Sequence, residues 1–282
     1  MEQKTDRVRV AIRRFHAELP ASVSDDTLAV EEPLEIRLGC GKKHQPVSIT
    51  MRTPGNDAEL AVGFLFTEGI LPSAKRIVAV RHCGKFPNNR NTIRVDVDSF
   101  DGIDLERLQR NFYTTSSCGV CGKSSLEALA VAGVKPVADN GFRLNVESIN
   151  ELPAKLRRAQ DVFAETGGLH AAALFDEECG LIDVKEDVGR HNAVDKLIGA
   201  VLIANRIPLA SAGLFLSGRA SFELIQKAAA AGIAAVCAVG APSSLAVAAA
   251  REFNITLVGF VRDGRFNVYS GENRFNTLAN VE

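Results

Sequence analysis

The sequence has no excess of charge of either sign: 33 lysines and arginines nearly cancel 34 aspartates and glutamates, leaving a formal net charge of −1. That balance removes the general attraction to nucleic acid or to an anionic membrane, so neither is expected as a partner and any anion site must be local. A long hydrophobic run is also missing. The greasiest stretch, 197–216, is interrupted by Asn205, Arg206 and Pro208 and is too broken to cross a bilayer. The opening Met1-Glu2-Gln3-Lys4-Thr5-Asp6-Arg7 leads into no apolar segment, so no signal peptide is expected. Cysteine is scarce, with six in 282 residues and a single close pair, which does not make a disulfide framework. A reducing cytoplasm is therefore the expected location, where thiols stay available for chemistry. Internal repeats and low-complexity linkers are absent as well.

What is present suits a soluble chain with a well-buried core: 46% hydrophobic and 24% charged residues. Apolar residues alternate with polar ones through 7–12 and 33–38, which predicts strands with one buried face. Asn56 stands as a candidate N-cap, with Asp57 and Glu59 in the first turn of a mostly buried helix that Gly69 stops. Strands are expected across 76–99 around a turn at 84–89, and a helix from about 124 to 132. The pattern Ser148-Ile149-Asn150-Glu151 reads as a capping box opening a long helix that ends near Gly167.

From 170 onward short apolar strands alternate with helices of about ten residues, which implies a largely parallel sheet covered on both faces. The expected organisation is a β-rich part over 1–135 followed by an α/β part over 136–282.

Cys118-Gly119-Val120-Cys121 is the most informative local feature. A position just ahead of a helix favours the thiolate, and Lys123 adds positive charge. Gly119 and Gly122 bend at little cost, and Ser116, Ser117, Ser124 and Ser125 keep the segment polar. These are the needs of a carrier loop: a nucleophilic sulfur, a second thiol to resolve or pass it on, and freedom to move. Half of a zinc site is the competing reading, with His82-Cys83 or Cys40 and His44 supplying the rest, although a second Cys-x-x-Cys is missing. A thioredoxin-like role would place the pair directly after a strand, and the polar run 113–117 argues against it. Cys179 and Cys237 sit singly among apolar residues and read as buried small hydrophobes.

Four glycine-bearing turns fall at strand ends: Thr166-Gly167-Gly168 before His170, Gly189-Arg190-His191-Asn192, Ser217-Gly218-Arg219, and Arg262-Asp263-Gly264-Arg265. In open α/β sheets ligands gather at the carboxyl ends of strands, where helix N-termini offer backbone N–H groups to phosphate. Arg190, Arg219, Arg262 and Arg265 add bidentate donors. One such turn usually just caps a surface; several on one edge favour a nucleotide or pyrophosphate. G-x-G-x-x-G and Walker A spacings are missing, so a dinucleotide dehydrogenase or an NTPase is not indicated. His170 and His191 are open to either a structural or a ligand-touching role. Asp187 and Asp195 read as orienting groups, and Lys196 and Lys227 as solvated helix positions.

Together these segments resemble the formate dehydrogenase accessory sulfurtransferase family, often called FdhD. The resemblance runs from about residue 30 to 270. It is carried by Met51-Arg52-Thr53-Pro54-Gly55, Ser117-Cys118-Gly119-Val120-Cys121-Gly122-Lys123, Gly167-Gly168-Leu169-His170, Glu186-Asp187-Val188-Gly189-Arg190-His191-Asn192, Ser217-Gly218-Arg219-Ala220-Ser221 and Ala241-Pro242-Ser243-Ser244. Gly259-Phe260-Val261-Arg262 completes the set. It implies a cytidine-deaminase-like α/β fold, a mixed sheet with helices on both faces, plus a smaller β-rich N-terminal part bearing the Cys-x-x-Cys loop, usually as a homodimer. It also implies a sulfurtransferase that takes persulfide sulfur from a cysteine desulfurase. The acceptor would be the bis-molybdopterin guanine dinucleotide form of the molybdenum cofactor, destined for formate dehydrogenase. Cys118 would carry the persulfide and Cys121 assist. The guanine nucleotide parts would lie against the glycine–arginine turns, with a contact through Phe260, Val261, Arg262, Asp263, Gly264 and Arg265.

Two rivals follow. A zinc deaminase needs a Glu two residues after its histidine ligand and a Pro before the cysteine pair, and His170, His191 and Ser117 provide neither. A cofactor chaperone with structural, zinc-binding cysteines is the other.

Overall fold

The computed structural model describes residues 6–84, 88–103 and 134–276. Cys118 and Cys121, with the helix expected after them, lie outside the described residues.

The first part is β-rich, as the alternation predicts. β1 (Arg7–Arg14) and β2 (Ser22–Ala29) form an antiparallel two-stranded sheet. β3 (Glu32–Cys40), β4 (Lys43–Arg52), β5 (Ile77–His82) and β6 (Thr92–Val97) form a four-stranded sheet in the order β4-β3-β6-β5. Leu34, Ile36 and Leu38 recur at every second position of β3 and are fully buried. They meet Leu60 and Leu65 of helix α1 (Asp57–Thr67) in a compact core. Each such leucine contributes about 1.5–3 kcal/mol by leaving water.

Asn56 does not cap α1 as expected. Its backbone is left-handed (φ 56°), which turns the side chain away from the helix N–H groups, and it donates instead to Glu59 Oε1 at 3.1 Å. The helix entrance is held by Arg52, which is buried and grips Asp57 through two 3.0 Å hydrogen bonds.

The second part is a six-stranded mixed sheet in the order β12-β11-β10-β9-β7-β8. Its strands are β7 (His170–Phe175), β8 (Leu181–Asp187), β9 (Gly213–Leu216), β10 (Ala235–Ala238), β11 (Thr256–Arg262) and β12 (Arg265–Ser270). β9, β10 and β11 are parallel, while β7 and β12 run antiparallel to their neighbours and β8 antiparallel to β7. Every residue of β9 and β10 is buried, as a sheet covered on both faces requires. The connections β8–α4–β9, β9–α5–β10 and β10–α6–β11 use α4 (Arg190–Ile203), α5 (Phe222–Ala230) and α6 (Ser244–Glu252). All three step across the sheet in one direction, so right-handed crossovers put these helices on one face. α2 (Val146–Ala159), which packs against β8 and β11, takes the other.

The long helix expected over 148–166 is two helices. It begins earlier, because Asn145 accepts from the N–H groups of Glu147 and Ser148, leaving Ser148 inside the first turn. It breaks at Gln160 (φ −90°, ψ 86°), and α3 (Asp161–Thr166) starts afresh. The reason is tertiary: the Glu186 carboxylate accepts from the N–H groups of Val162 and Phe163 at 3.0 and 2.9 Å, capping a second helix.

The two parts are closely joined by α1 and α4. A Cβ on Gly63 would run into the Asp195 carbonyl, and one on Gly199 into the Glu59 carbonyl. Only glycine lets the two helix backbones approach that closely. Leu202 of α4 enters the smaller core, and Phe66 packs against both.

Candidate functional site: the carboxyl edge of the large sheet

The strand registers place the four glycine turns on one edge. His170 opens β7 opposite Asp187, which closes β8. Ala172 faces Leu216 at the end of β9, Leu216 faces Ala238 at the end of β10, and Arg262 faces Arg265 across the β11–β12 turn. Gly167, Gly168, His170, Gly189, Arg190, His191, Ser217, Gly218, Arg219 and the 260–265 turn therefore line up along a single rim. Neighbouring turns are hydrogen-bonded to one another: Ala171 N–H donates to Ser217 Oγ at 2.9 Å, Gly240 N–H to the Gly218 carbonyl at 2.9 Å, and Phe260 N–H to the Gly240 carbonyl at 3.1 Å. A Cβ on Gly218 would lie 3.4 Å from His170 Nδ1, so these two turns are in contact.

Along this rim α4 and α5 begin without a side-chain cap, at Gly189 and Ser221. The positive end of α4 has no carboxylate in its first turn and can meet an anion, whereas at α5 the Glu223 carboxylate already takes its own N–H and the Ser221 hydroxyl. Ser221 turns instead toward His191 (Oγ to Nε2, 3.5 Å), whose other neighbour is Glu223 at 3.8 Å. Burial, with the Lys227 and Arg190 charges behind it, pushes the His191 imidazole down to about 4. Burial and Arg190 likewise lower His170. Both rings are thus kept neutral at pH 7, able to donate and accept beside an anionic ligand. Arg190 has a buried Nε with no hydrogen-bond partner, and Arg219, Arg262 and Arg265 are exposed.

At the far end of the rim the chain is held in a conformation L-residues avoid. Phe260 has φ 57° within an irregularity of β11, and Asp263 and Gly264 (φ 55° and 71°) make the tight turn. For a bulky residue such as Phe260 a left-handed backbone is an outlier, of the kind that gathers at ligand sites. Its ring lies 5.6 Å from the Arg262 guanidinium. Val261 differs from the other residues of the set: its side chain is wholly buried in the larger core, so only its backbone faces the rim.

Beneath the rim is a network the sequence reading underrated. Asp187 is completely buried and accepts from Lys196 Nζ (2.7 Å), Asn192 Nδ2 (2.9 Å) and the N–H groups of Gly189 (2.8 Å) and Thr53 (3.1 Å). It orients neighbouring groups, as expected. Lys196 corrects its reading as a solvated helix position: it is 2% exposed and also donates to the Thr53 carbonyl. Lys227 is likewise buried, paired with Asp195 at 3.0 Å and Glu68 at 3.1 Å. Thr53 and Asn192 escaped notice as anchors because their partners are more than 130 residues away in sequence. Cys179 and Cys237 are wholly buried, as expected, and burial pushes both thiols far up, Cys179 to about 12. Of the zinc partners considered, Cys40 points its thiol at the Asp98 carbonyl and His82 faces Asp57.

A second feature adjoins the rim, a cavity of about 550 Å³ beside Gly167, Gly168, His170 and Ser217, walled by α2 and α3.

The FdhD/NarQ family pattern matches residues 29–276. The chain belongs to that family. Among curated proteins it is 53% identical over 279 residues to "Sulfur carrier protein FdhD" of Streptomyces avermitilis, covering 97% of this chain and 96% of that one. It is 50% identical to the protein of the same name from Mycolicibacterium paratuberculosis over 88% of this chain and 92% of that one. The protein of that name from Picrophilus torridus is 43% identical over the same shares. A solved chain from Desulfotalea psychrophila, which goes under the description formate dehydrogenase accessory protein, superposes with a TM-score of 0.74 over 96% of this chain and 99% of that one. At 24% identity it speaks to the mixed α/β fold. Among the described residues no helix is long and apolar enough to span a membrane.

Proposed function

We propose that this FdhD/NarQ family member is a sulfur carrier that moves persulfide sulfur from a cysteine desulfurase to the bis-molybdopterin guanine dinucleotide cofactor of formate dehydrogenase. The observation that carries the acceptor half is the rim: four glycine turns, the uncapped N-terminus of α4 and the Arg190, Arg219, Arg262 and Arg265 cations along one edge. That is the donor set two pyrophosphate groups require. The carrier half rests on Cys118 and Cys121 and on family membership.

The Cys118 thiolate attacks the outer sulfur of the donor's cysteine persulfide; the S–S bond there breaks, the donor thiolate leaves, and Cys118 holds the sulfur. Cys121 thiolate then attacks the inner sulfur, forming the Cys118–Cys121 disulfide and releasing hydrosulfide, so the two thiols supply the two electrons. The cofactor is the substrate and takes the hydrosulfide in exchange for an oxygen ligand, and a dithiol reductant restores the pair. The rim residues hold the nucleotide ends still while this occurs.

The test is intact-protein mass spectrometry after incubation with a cysteine desulfurase and cysteine. Cys121→Ala should gain one reducible sulfur atom, the wild type should gain that atom or close the Cys118–Cys121 disulfide, and Cys118→Ala should do neither. A wild type and a Cys121→Ala variant that both stay unloaded and unoxidised beside active desulfurase would overturn the carrier role.

A further inference from the structure

The turn that carries Arg190 and His191 is not held by the large-sheet part alone. Residues 50–53, at the end of β4 and just beyond it, reach across and bond to both of its ends. Ahead of Arg190, the Val188 N–H donates to Thr53 Oγ1 at 3.3 Å. The Thr53 N–H donates to Asp187 at 3.1 Å, and its carbonyl accepts from Lys196 at 2.9 Å. After His191, Asn192 Oδ1 accepts from the Thr50 hydroxyl at 3.1 Å, and Nδ2 donates to the Met51 carbonyl at 2.7 Å and to Asp187 at 2.9 Å. That amide can lie only one way, because turning it over would set its oxygen against two acceptors. Gly189 makes room for it: a Cβ there would come within 3.0 Å of Asn192 Nδ2. The reaching segment is itself held by Arg52, whose guanidinium grips Asp57.

Joining the two parts does not require these bonds. Gly63 and Gly199 already let α1 and α4 pack closely, and Leu202 fills the smaller core. Apolar contact of that kind tolerates a small slide, whereas hydrogen bonds are directional and weaken steeply when bent. A buried polar network with every member paired therefore fixes one arrangement. What this one fixes is the two-residue stretch between its anchors, and that stretch is Arg190 and His191. The buried Nε of Arg190 has no hydrogen-bond partner, so the guanidinium takes its direction from the backbone that carries it.

We propose that Thr50, Thr53 and Asn192 are positioning residues, through which the small-sheet part sets where Arg190 and His191 stand on the rim. The inference deepens the acceptor half of the reading above and rests on it for the identity of the ligand. The anion site is then a joint product of both parts of the chain, although all four glycine turns belong to one.

The test pairs isosteric variants with their rescue, in the full chain. Thr53→Val and Thr50→Val keep the shape and remove one hydroxyl each, while Thr53→Ser and Thr50→Ser retain it. In titration calorimetry with inorganic pyrophosphate, each Val variant should bind about tenfold more weakly and each Ser variant within about twofold of wild type. The His191 ring, faced by Arg190, Glu223, Lys227 and Glu68, reports on the turn itself. Burial holds it at about 4, so its NMR titration midpoint should rise toward 6.5 in the Val variants as water reaches it, and return in the Ser variants. A joint that is only structural would lower the melting temperature of the Val variants and leave affinity and midpoint unchanged, and that result overturns the proposal. A loss that serine does not restore overturns it too. Thr50→Val leaves every bond of Thr53 in place and decides should Thr53→Val not fold. Should the wild type bind no pyrophosphate, the acceptor reading falls, and the His191 midpoint decides the positioning role by itself.

Discussion

Two buried lysine–aspartate pairs pin the two ends of α1 to the large-sheet part, and they are not equivalent. Lys196–Asp187 holds the loop leading into α1, through the carbonyl and N–H of Thr53. Lys227–Asp195 holds the exit, through the Thr67 hydroxyl and Glu68. Both lysines are under 5% exposed. Asp187, however, also takes the Gly189 N–H and the Asn192 amide, so it shapes the turn that starts α4 at the rim. Asp195 has Thr67 as its one further donor in the network. A buried ion pair is weak evidence of stabilisation in itself, because desolvation offsets the attraction. What distinguishes the two is how much backbone depends on each carboxylate.

The largest expected effect follows from that dependence. Asp187→Ala should cost about 3–5 kcal/mol in urea denaturation, since it leaves Lys196 charged and buried and strands three N–H donors. It should also loosen the Gly189–Arg190 turn and weaken pyrophosphate binding at the rim. A cost below about 1 kcal/mol would erase the proposed difference between the pairs.

The comparison sharpens when each pair is replaced whole. Lys227→Met alone should cost about 2–3 kcal/mol, leaving Asp195 buried with only the Thr67 hydroxyl. Adding Asp195→Leu should bring stability back to within about 1 kcal/mol of wild type, because no backbone group waits for that carboxylate. The matching double replacement, Lys196→Met with Asp187→Leu, should not recover. Equal recovery of both doubles would show that the Gly189 and Thr53 N–H groups find other partners.

These pairs also mark where the sequence stops being readable. The alternating apolar pattern of 33–38 identifies β3, and the strand–helix rhythm after 170 identifies the parallel strands β9, β10 and β11, since both depend on neighbours close in the chain. The antiparallel β7 and β12 make the sheet less parallel than that rhythm implies. The rim was legible for the same reason: a glycine–arginine turn after a strand is local, and only its alignment with three others needed the registers. Lys196 and Lys227 were misread because a lysine on a helix carries no local mark of a carboxylate arriving from elsewhere in the fold. The break at Gln160 was hidden likewise, since Glu186 caps α3 from a strand 24 residues on. Helix α4 escaped a clean amphipathic signature because α1 covers the side the sheet does not.

The smallest expected effect is on pH dependence, and it separates the rim end of α4 from its buried middle. Burial, opposed by Lys227 and Thr67, raises Asp195 from an ordinary 3.8 to about 6. Its contribution is fully present below about 3.8 and is lost as pH rises through 6. His191, lowered from 6.5 to about 4 chiefly by burial, contributes fully above 6.5 and loses its contribution as pH falls through 4. Between pH 4 and 6 the two slopes oppose, so wild-type stability should vary little through these groups. His191→Gln should make the protein relatively more stable in acid, and Asp195→Asn should steepen its loss, each by on the order of 1 kcal/mol per pH unit. Urea midpoints at pH 4.5, 5.5 and 6.5 would read both slopes. Parallel slopes in the two variants would mean that the buried middle of α4 and its rim end respond to protons as one unit, and the distinction between structural pair and site would fail there first.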